Sequence, residues 1–476
     1  MASTFGAFNT AYSGLAAARA ALELTGQNVA NVNTPGYTRQ RVDQVSVPGT
    51  DYANRFTLGL NIGQGTQITG ISRLGDALID SRVRDTAATS GYWSSASSAL
   101  STVETGLAEP GSNGLSSALT AFWNAWGAMS NSPTSSSAAS TLLSTAQSLT
   151  GRIAAGYTAA QTGWTNQRTA TSDTVAQINQ ATSAVATLND QILRITVSGG
   201  NANELMDRRD AALTTLSTLA GATTRTAANG SMDVIIGGST VVSGGSAKAL
   251  ALGGSASMES AAGHPIQLEF ADKPGTALRV ESGTVAAQIS SLAAATPEHT
   301  GGAFAEAAAA YDSMASTLEQ KVNAAHEAGQ TPSGATGAKF FDFSNATGSR
   351  ALTLTIVPTS VAGIAASSAT PGSSDGQVAD AISQLGTGAD APDADWSTFV
   401  TRLGALTQAA TTRASVADSA ATAATTAQTS QSGVDLDEET ANLVVFQHAY
   451  QGAARVLSAV DEMLDTLINR TGAGRG

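Results

Sequence analysis

The C-terminal end of the chain carries a heptad repeat, and this repeat limits the possible folds more than any other feature. The apolar residues recur in two series with a spacing of seven: Leu436, Leu443, Tyr450, Leu457 and Leu464 in one, and Phe446, Ala453, Val460 and Leu467 in the other. From Leu443 to Leu467 the spacings alternate between three and four, which is typical of a coiled-coil seam. Asp435 can cap the helix with Glu438 as its reciprocal partner. We predict a helix from 435 to 470, about 50 Å long.

The N-terminal end carries a second, narrower apolar stripe. Its members are Phe8, Leu15, Leu22 and Val29, and the residues that widen it are Phe5, Tyr12 and Ala18. The pattern predicts an amphipathic helix, and a lone helix of about 20 residues is only marginally stable in water. We therefore expect the two terminal helices to pair with each other and then with copies in neighbouring molecules. An ordinary intramolecular helical bundle explains the same pattern equally well.

A turn motif follows the N-terminal stripe and consists of Asn33, Thr34, Pro35, Gly36 and Tyr37. The proline disfavours helical backbone at the residue before it, so the helix should end near residue 31. Pro35-Gly36 suits the centre of a type II turn, in which the glycine takes a positive φ. A simple bundle gives no reason for this turn, so we count it as a candidate functional motif.

The interior of the chain is mainly helical, with β-rich insertions. Helical periodicity covers 142–164, 175–195, 203–221, 304–325 and 396–430, whereas 222–282 and 338–370 hold short strand-like runs between turn residues. Residues 371–395 have a loop composition. We predict terminal coiled-coil helices, a long helical-bundle body and inserted outer β domains. The expected boundaries are 1–60, 61–221, 222–282, 283–337, 338–395, 396–430 and 431–476.

Composition argues against a chemical function. The net charge of −13 gives no overall attraction for nucleic acid or for an anionic membrane, and the chain has no cysteine. Its four histidines do not have metal-ligand spacing. The charged triplet Arg208-Arg209-Asp210 is most simply explained as an exposed ion-pair network on a helix. We expect a protein that is not an enzyme, with no cofactor, no metal site and no membrane insertion.

Several segments resemble the flagellar axial family of rod, hook and hook-associated proteins. The segment at 21–42, ALELTGQNVANVNTPGYTRQRV, is similar to the N-terminal signature of that family, and the segment at 432–470 is similar to the C-terminal one. Residues 130–153, 203–221 and 313–329 resemble the hook-associated proteins that form the first hook–filament junction. Alternatives are a hook or distal-rod protein, which should lack the NELMDRRD helix, or an adhesin or enzyme carried in the β-rich insertions.

The resemblance implies a structural, extracellular component of the bacterial flagellum. It implies export through the flagellar type III channel without a cleaved signal peptide, which agrees with a chain start that lacks a basic region before an apolar core. The implied partners are further copies of the chain in a head-to-tail helical assembly, the hook protein, a second hook-associated junction protein, and an export chaperone at the C-terminal helix. We expect the terminal helices to become stably folded only on assembly.

Overall fold

The computed structural model describes residues 4–48, 63–345, 347–368, 374–388 and 390–466. In this part of the chain helices dominate, which confirms the predicted fold class. The helices are α1 (Thr4–Ala30), α2 (Ala77–Leu107), α3 (Leu115–Asn131), α4 (Ser136–Val197), α5 (Asn203–Ala220), α6 (Thr284–Ser291), α7 (Ala303–Glu327), α8 (Arg350–Thr353), α9 (Gln377–Ser383), α10 (Pro392–Ser432) and α11 (Leu436–Asp465). None of these described helices is long and apolar enough to cross a membrane.

The strands form small antiparallel sheets between the helices. They are β1 (Gln40–Ser46), β2 (Thr66–Arg73), β3 (Thr223–Thr226), β4 (Met232–Ile236), β5 (Ser239–Ser243), β6 (Ser246–Ala247), β7 (Leu250–Gly253), β8 (Gln267–Phe270), β9 (Ala277–Leu278), β10 (Phe341–Phe343) and β11 (Leu354–Ile356). β1 pairs with β2, and β10 with β11, while β3 to β6 and β7 to β9 form two further sheets in chain order. The first predicted β-rich segment, 222–282, therefore contains β3 to β9.

Helix α4 joins two hydrophobic cores. It is one continuous helix of 62 residues that includes both the 142–164 and the 175–195 periodicities. Its first half buries Trp164 in a core with Trp126, Phe340 and Trp396. Its second half packs against α5 and the strands β4 and β5. The helical body and the first β-rich segment thus share α4 as a common support.

The predicted β-rich insert and linker at 338–395 is not a separate β domain, although its strands lie in the segment 338–370 that was predicted to be β-rich. It contains only the short strands β10 and β11 together with α8, α9 and the start of α10 among its described residues. Phe340 and Phe341 are completely buried in the main core, because their rings pack among the helices that surround them. The interpretation of 371–395 as a loop is also too simple, since α9 lies within it.

Buried asparagines on helices bind neighbouring strands in the same way at several places. Asn189 accepts from the backbone N–H of Met232 at 3.0 Å and donates to the carbonyl of that residue at 2.9 Å. Asn179 makes the same two bonds to Leu250, both 2.8 Å long. The carboxamide supplies a donor and an acceptor side by side, so it can pair with the backbone N–H and C=O of one strand residue, as a neighbouring strand would. Each contact fixes a strand against a helix.

Candidate functional site

The terminal helices α1 and α11 pack along each other within one chain. Asn28, near the end of α1, contacts Glu439, near the start of α11. Arg19, farther back on α1, lies close enough to Tyr450 for an electrostatic interaction. The two helices therefore run antiparallel. The expected pairing of the chain ends is present in the structure.

The buried residues of α1 are mostly small, and they overlap the predicted stripe only in part, since Ala18 is the one stripe residue among them. The buried residues of α1 are Ala11, Ala17, Ala18, Ala21, Leu24, Thr25 and Asn28. Leu15 and Leu22 are half-buried at the edge of this face, while Phe8, Tyr12 and Val29 remain 43%, 58% and 36% exposed. Within the single chain the small residues carry most of the burial, because alanines let neighbouring backbones approach closely. The predicted seam of the assembled protein stays a prediction.

On α11 the second heptad series, which includes Phe446, Ala453 and Val460, faces α1. The first series, which begins at Leu436, lies along the edge of that face. Val460 is buried, and Phe446, Ala453, Leu457 and Leu464 are half-buried. The exposed part of the first series is Leu436, Leu443 and Tyr450, with exposed fractions of 47%, 38% and 37%. Leu467 lies outside the described residues.

Two uncovered apolar stripes therefore border the pairing face of α11. At about 100° per residue, Leu436, Leu443 and Tyr450 lie to one side of the face. Val445, Val456 and Met463 lie to the other side, and all three are exposed. We call these six residues the α11 flanks. A helix that buries one face and leaves apolar flanks on both sides has the surface of a subunit in a larger bundle.

A buried polar joint connects the base of the helix pair to the rest of the molecule. We define the joint as Asn28, Tyr37, Arg39, Gln40 and Glu439. Asn28 accepts from the backbone N–H of Gln40 at 3.1 Å and donates to the carbonyl of Gln40 at 3.0 Å, which repeats the contact seen at Met232 and Leu250. It also donates to Glu439 at 3.3 Å. The Tyr37 hydroxyl donates to Asn28 at 2.8 Å.

Arg39 ties the joint to the start of α11. Its Nε donates to Glu439 Oε1 at 2.6 Å, and its Nη1 donates to Glu438 Oε2 at 2.8 Å. Glu439 has only 2% of its side chain exposed, so its charge depends on these bonds. Asp435 caps α11 by accepting from the backbone N–H groups of Asp437 and Glu438, which confirms the predicted cap, whereas Glu438, the expected reciprocal partner, binds Arg39. The α11 N-terminus is therefore held by side chains on both of its sides.

A second ion cluster joins the β1–β2 hairpin to the body. Arg73, the last residue of β2, donates to Asp207 at 2.6 Å and lies 2.9 Å from Asp210, both on α5. The backbone N–H of Thr38 also donates to Asp207. Burial raises the pKa of Asp207 in spite of these bonds. We call Arg73, Asp207 and Asp210 the body cluster.

The turn motif lies directly beside these two clusters. Asn33 to Gly36 are exposed and Tyr37 is half-buried. Gly36 has a φ of 79°, as the type II turn requires, and α1 ends at Ala30 as predicted. Burial, with the charges of Asp207 and Glu439, raises the pKa of Tyr37 to about 12. The turn thus returns the chain so that Tyr37 can reach back to Asn28.

Sequence reasoning missed most of the joint, although a signal was present. Glu439 lies seven residues before Phe446, and Asn28 lies seven after Ala21, so both occupy core positions of otherwise apolar heptads. Polar residues at such positions are costly unless they are paired. The Arg208-Arg209-Asp210 triplet was also interpreted too simply. Arg208 is exposed and pairs with Glu204, but Arg209 is buried and Asp210 belongs to the body cluster.

Comparison with known proteins agrees with this architecture. Residues 100–341 match the helical domain of flagellar hook-associated protein FlgK. Residues 8–38 match the flagella basal body rod protein family, and residues 428–470 match the C-terminal region of the FlgEFG basal body rod proteins. Flagellar hook-associated protein 1 of Bacillus subtilis is 30% identical over 517 aligned positions that span 100% of both chains. The chain belongs to the flagellar hook-associated protein 1 family.

More distant members share part of the chain or only the fold. Flagellar hook-associated protein 1 of Salmonella typhimurium is 30% identical over 246 residues, which are 51% of this chain and 43% of that protein. The flagellar hook junction protein FlgK from Burkholderia pseudomallei has the same fold at 15% identity, with a TM-score of 0.57 over 74% of this chain and 100% of the other.

Membership in the hook-associated protein 1 family decides between the interpretations left open by the sequence. The protein is a structural component of the bacterial flagellum and belongs to the hook–filament junction. A hook or rod protein would share the terminal matches, but the match to the helical domain covers the centre of the chain. The resemblance found in the sequence is therefore confirmed.

Proposed function

We propose that the helix pair is the unit by which copies of this chain assemble at the junction. The observation that carries the proposal is the pair of apolar flanks that α11 leaves uncovered. If the helix pairs of successive subunits lie side by side and form a tube, the α11 flanks of one subunit would be covered by the helix pairs of its neighbours. The contacts would be head-to-tail and non-closing, because a two-fold contact would end the assembly at a dimer.

The predicted seam acquires a different role in this proposal. Leu436, Leu443 and Tyr450, with Phe8 and Tyr12 on α1, would contact neighbouring subunits instead of the partner helix in the same chain. Their exposed fractions of 37% to 58% leave apolar area that an assembly can bury. Complete burial of a fully exposed leucine or phenylalanine side chain contributes about 1.5–3 kcal/mol. Covering the exposed part of these residues contributes a fraction of that each, and several such residues per subunit together stabilise an assembly.

The finer partners follow the family. We infer that the subunits add to the hook protein, that a second hook-associated junction protein adds to them, and that the chain is exported through the flagellar type III channel to the cell exterior. An export chaperone would bind α11 by placing its apolar flanks in a groove. Deletion of 436–467 should abolish that complex, and undiminished chaperone affinity of the shortened chain would place the chaperone site elsewhere. We propose no catalytic activity.

Substitution of Leu443 tests the assembly surface. Leu443→Ala should weaken subunit contacts by about 2–5 kcal/mol per subunit if the site is well packed in the assembly. The measurement is the amount of the protein retained on hooks isolated from cells, with filament number counted by electron microscopy. His448→Ala is the matched control, because His448 is an exposed polar residue of the same helix that belongs to neither flank.

The two variants together decide the proposal. We expect Leu443→Ala cells to lose filaments and release flagellin into the medium, as cells without the protein should, while His448→Ala cells resemble the wild type. Normal junctions with Leu443→Ala would contradict the proposed role of the flanks. Loss of junctions with both variants would show that α11 itself had been disrupted, and the flanks would then have no separate role.

A further inference from the structure

The orientation of the helix pair is decided at the β1–β2 hairpin. Among the described elements, α11 packs extensively only on α1, and α1 packs otherwise on β1 and β2. The hairpin in turn contacts α5 through the body cluster. The side chains that hold the hairpin therefore help to set the angle between the pair and the body, together with the short connection from α10 to α11, where the Ser432 carbonyl accepts from the backbone N–H of Arg39.

Two arginines at one end of the hairpin face in different directions. Arg39 immediately precedes β1, and Gln40 is in register with Arg73 at the end of β2. The backbone N–H of Leu74 donates to the carbonyl of Arg39 at 2.9 Å, so the two arginines are neighbours on adjacent segments. The guanidinium of Arg39 nevertheless binds the helix pair, and that of Arg73 binds the body.

Both arginines are largely shielded from water. Their side chains are 16% and 19% exposed, and their most buried partners, Glu439 and Asp207, are 2% and 8% exposed. Each guanidinium also binds two carboxylates at once and offsets their negative charge, which a neutral side chain cannot do. Loss of such a partner leaves a buried charge uncompensated, so each cluster should stay closed while its arginine is present.

We propose that Arg39 and Arg73 are separate positioning residues: Arg39 fixes the hairpin to the helix pair, and Arg73 fixes the same hairpin to the body. The hairpin is then an adapter that an ion cluster holds on each side. Further hydrogen bonds support it, from the Thr66 N–H to Ser13 of α1 and from Asn203 of α5 to Gln40 and to the Ile71 carbonyl. This is a property of a single chain and does not depend on how subunits assemble.

Spin labels can test the two attachments independently. The chain has no cysteine, so cysteines introduced in pairs are the only labelled sites. Gln67 on β2, Gln451 on α11 and Ser94 on α2 are all exposed. The 67–451 distance reports the hairpin against the helix pair, and the 67–94 distance reports the hairpin against the body. Both distributions are measured in the full-length chain by pulsed electron double resonance.

We expect opposite effects from two variants. Arg39→Gln should broaden the narrow component of the 67–451 distribution at least twofold and leave 67–94 unchanged. Arg73→Gln should broaden 67–94 and leave 67–451 unchanged. Arg41→Gln is the matched control, because Arg41 is an exposed residue of β1 whose ion pair, with Asp43, stays within the same strand. It should change neither distribution.

The remaining outcomes contradict the proposal. If either variant broadened both distances, the hairpin would not be a separate adapter, and if neither did, the arginines would not position it. A wild-type chain without a narrow component would also exclude a fixed joint. The five tryptophans lie in the body, so their emission shows whether the body has stayed folded. If Arg73→Gln disturbs that emission, the milder Asp210→Asn must broaden 67–94 alone for the proposal to stand.

Discussion

The body and the terminal helix pair are both helical, but they place their large side chains on opposite sides. In the body Trp126, Trp164 and Phe122 are completely buried. In the pair the buried residues of α1 are mainly alanines, while Tyr12 and Val445 are 58% and 60% exposed. The body therefore completes its core within one chain. The pair is packed closely but leaves most of its apolar area for contacts outside the chain.

The difference has a thermodynamic consequence. Burial of apolar surface contributes about 25 cal/mol per Å², and alanine contributes little of it. Ordering each residue of a helix costs roughly 1–2 kcal/mol of conformational entropy. The pair therefore has a much smaller margin of stability than the body, and the fraction of time that it is closed in a dilute chain stays a prediction.

Amide exchange should show the largest contrast. Body amides in α4 should exchange only through global unfolding, which typically requires about 5–15 kcal/mol. Amides of 8–30 and 440–465 should exchange through local opening of the pair, orders of magnitude faster. Hydrogen exchange measured by mass spectrometry on the dilute chain checks this. Equal protection of both regions would contradict the predicted difference, because the helix pair of the dilute chain would then be as stable against opening as the body.

Truncation of one aromatic residue in each region should sharpen the contrast. Trp126→Ala should lower the free energy of unfolding by about 3–5 kcal/mol, because the side chain is fully buried. Tyr12→Ala should change it by less than about 0.5 kcal/mol, because the ring is exposed. Urea unfolding followed by circular dichroism measures both. A large loss with Tyr12→Ala would mean that the pair contributes to the body's cooperative unit.

The same substitution, asparagine to alanine, can be made at a buried asparagine of the body and at one of the joint, so the two regions can be compared directly. Asn323 accepts from the N–H groups of Phe340 and Phe341 and donates to the carbonyl of Phe341. Asn323→Ala should destabilise the body by about 1–3 kcal/mol, since buried backbone groups lose their partners.

Asn28 makes the equivalent contact at the joint. Asn28→Ala should leave the urea midpoint of the body, reported by tryptophan emission, unchanged, and should instead speed exchange in α1 and α11. A shift of the body midpoint by Asn28→Ala as large as that of Asn323→Ala would show that joint and body unfold together.

The smallest effect concerns Tyr37. Its folded pKa of about 12 lies above the ordinary value of 10.0, so the unfolded chain loses this proton first. The stabilisation linked to the protonated phenol is complete below pH 10 and is lost as the pH rises towards 12. Tyr37→Phe should cost about 1 kcal/mol at neutral pH, through the lost hydrogen bond to Asn28.

Absorbance of tyrosinate measures the titration directly. Tyr157 and Tyr311 also have pKa values raised to about 12 by burial. The late step, which is the rise in tyrosinate absorbance near pH 12, should therefore include three tyrosines in the wild type. Tyr37→Phe should remove one of them. An unchanged late step would show that Tyr37 titrates normally and that the joint is open to water.

Local features of the chain were predictable because their causes are local. The Asp435 cap, the end of α1 near residue 31 and the positive φ of Gly36 each depend on a few neighbouring residues. The terminal helices followed from their periodicity. The strands β10 and β11 lie in the predicted segment 338–370, but the packing of Phe340 and Phe341 among helices of the main core did not follow from their strand-like surroundings in the sequence.

The sequence alone determined that both chain ends are amphipathic helices and that the body between them is mainly helical, because spacing along a helix fixes which side chains share a face. Only the tertiary structure decided which face is used. Small residues make up most of the buried face of α1, and the joint brings Asn28 and Arg39 together with Glu439, which follows them in the chain by 411 and 400 residues. Such contacts depend on how closely two backbones approach and on which buried charges find partners, and neither quantity is written in the periodicity of one segment.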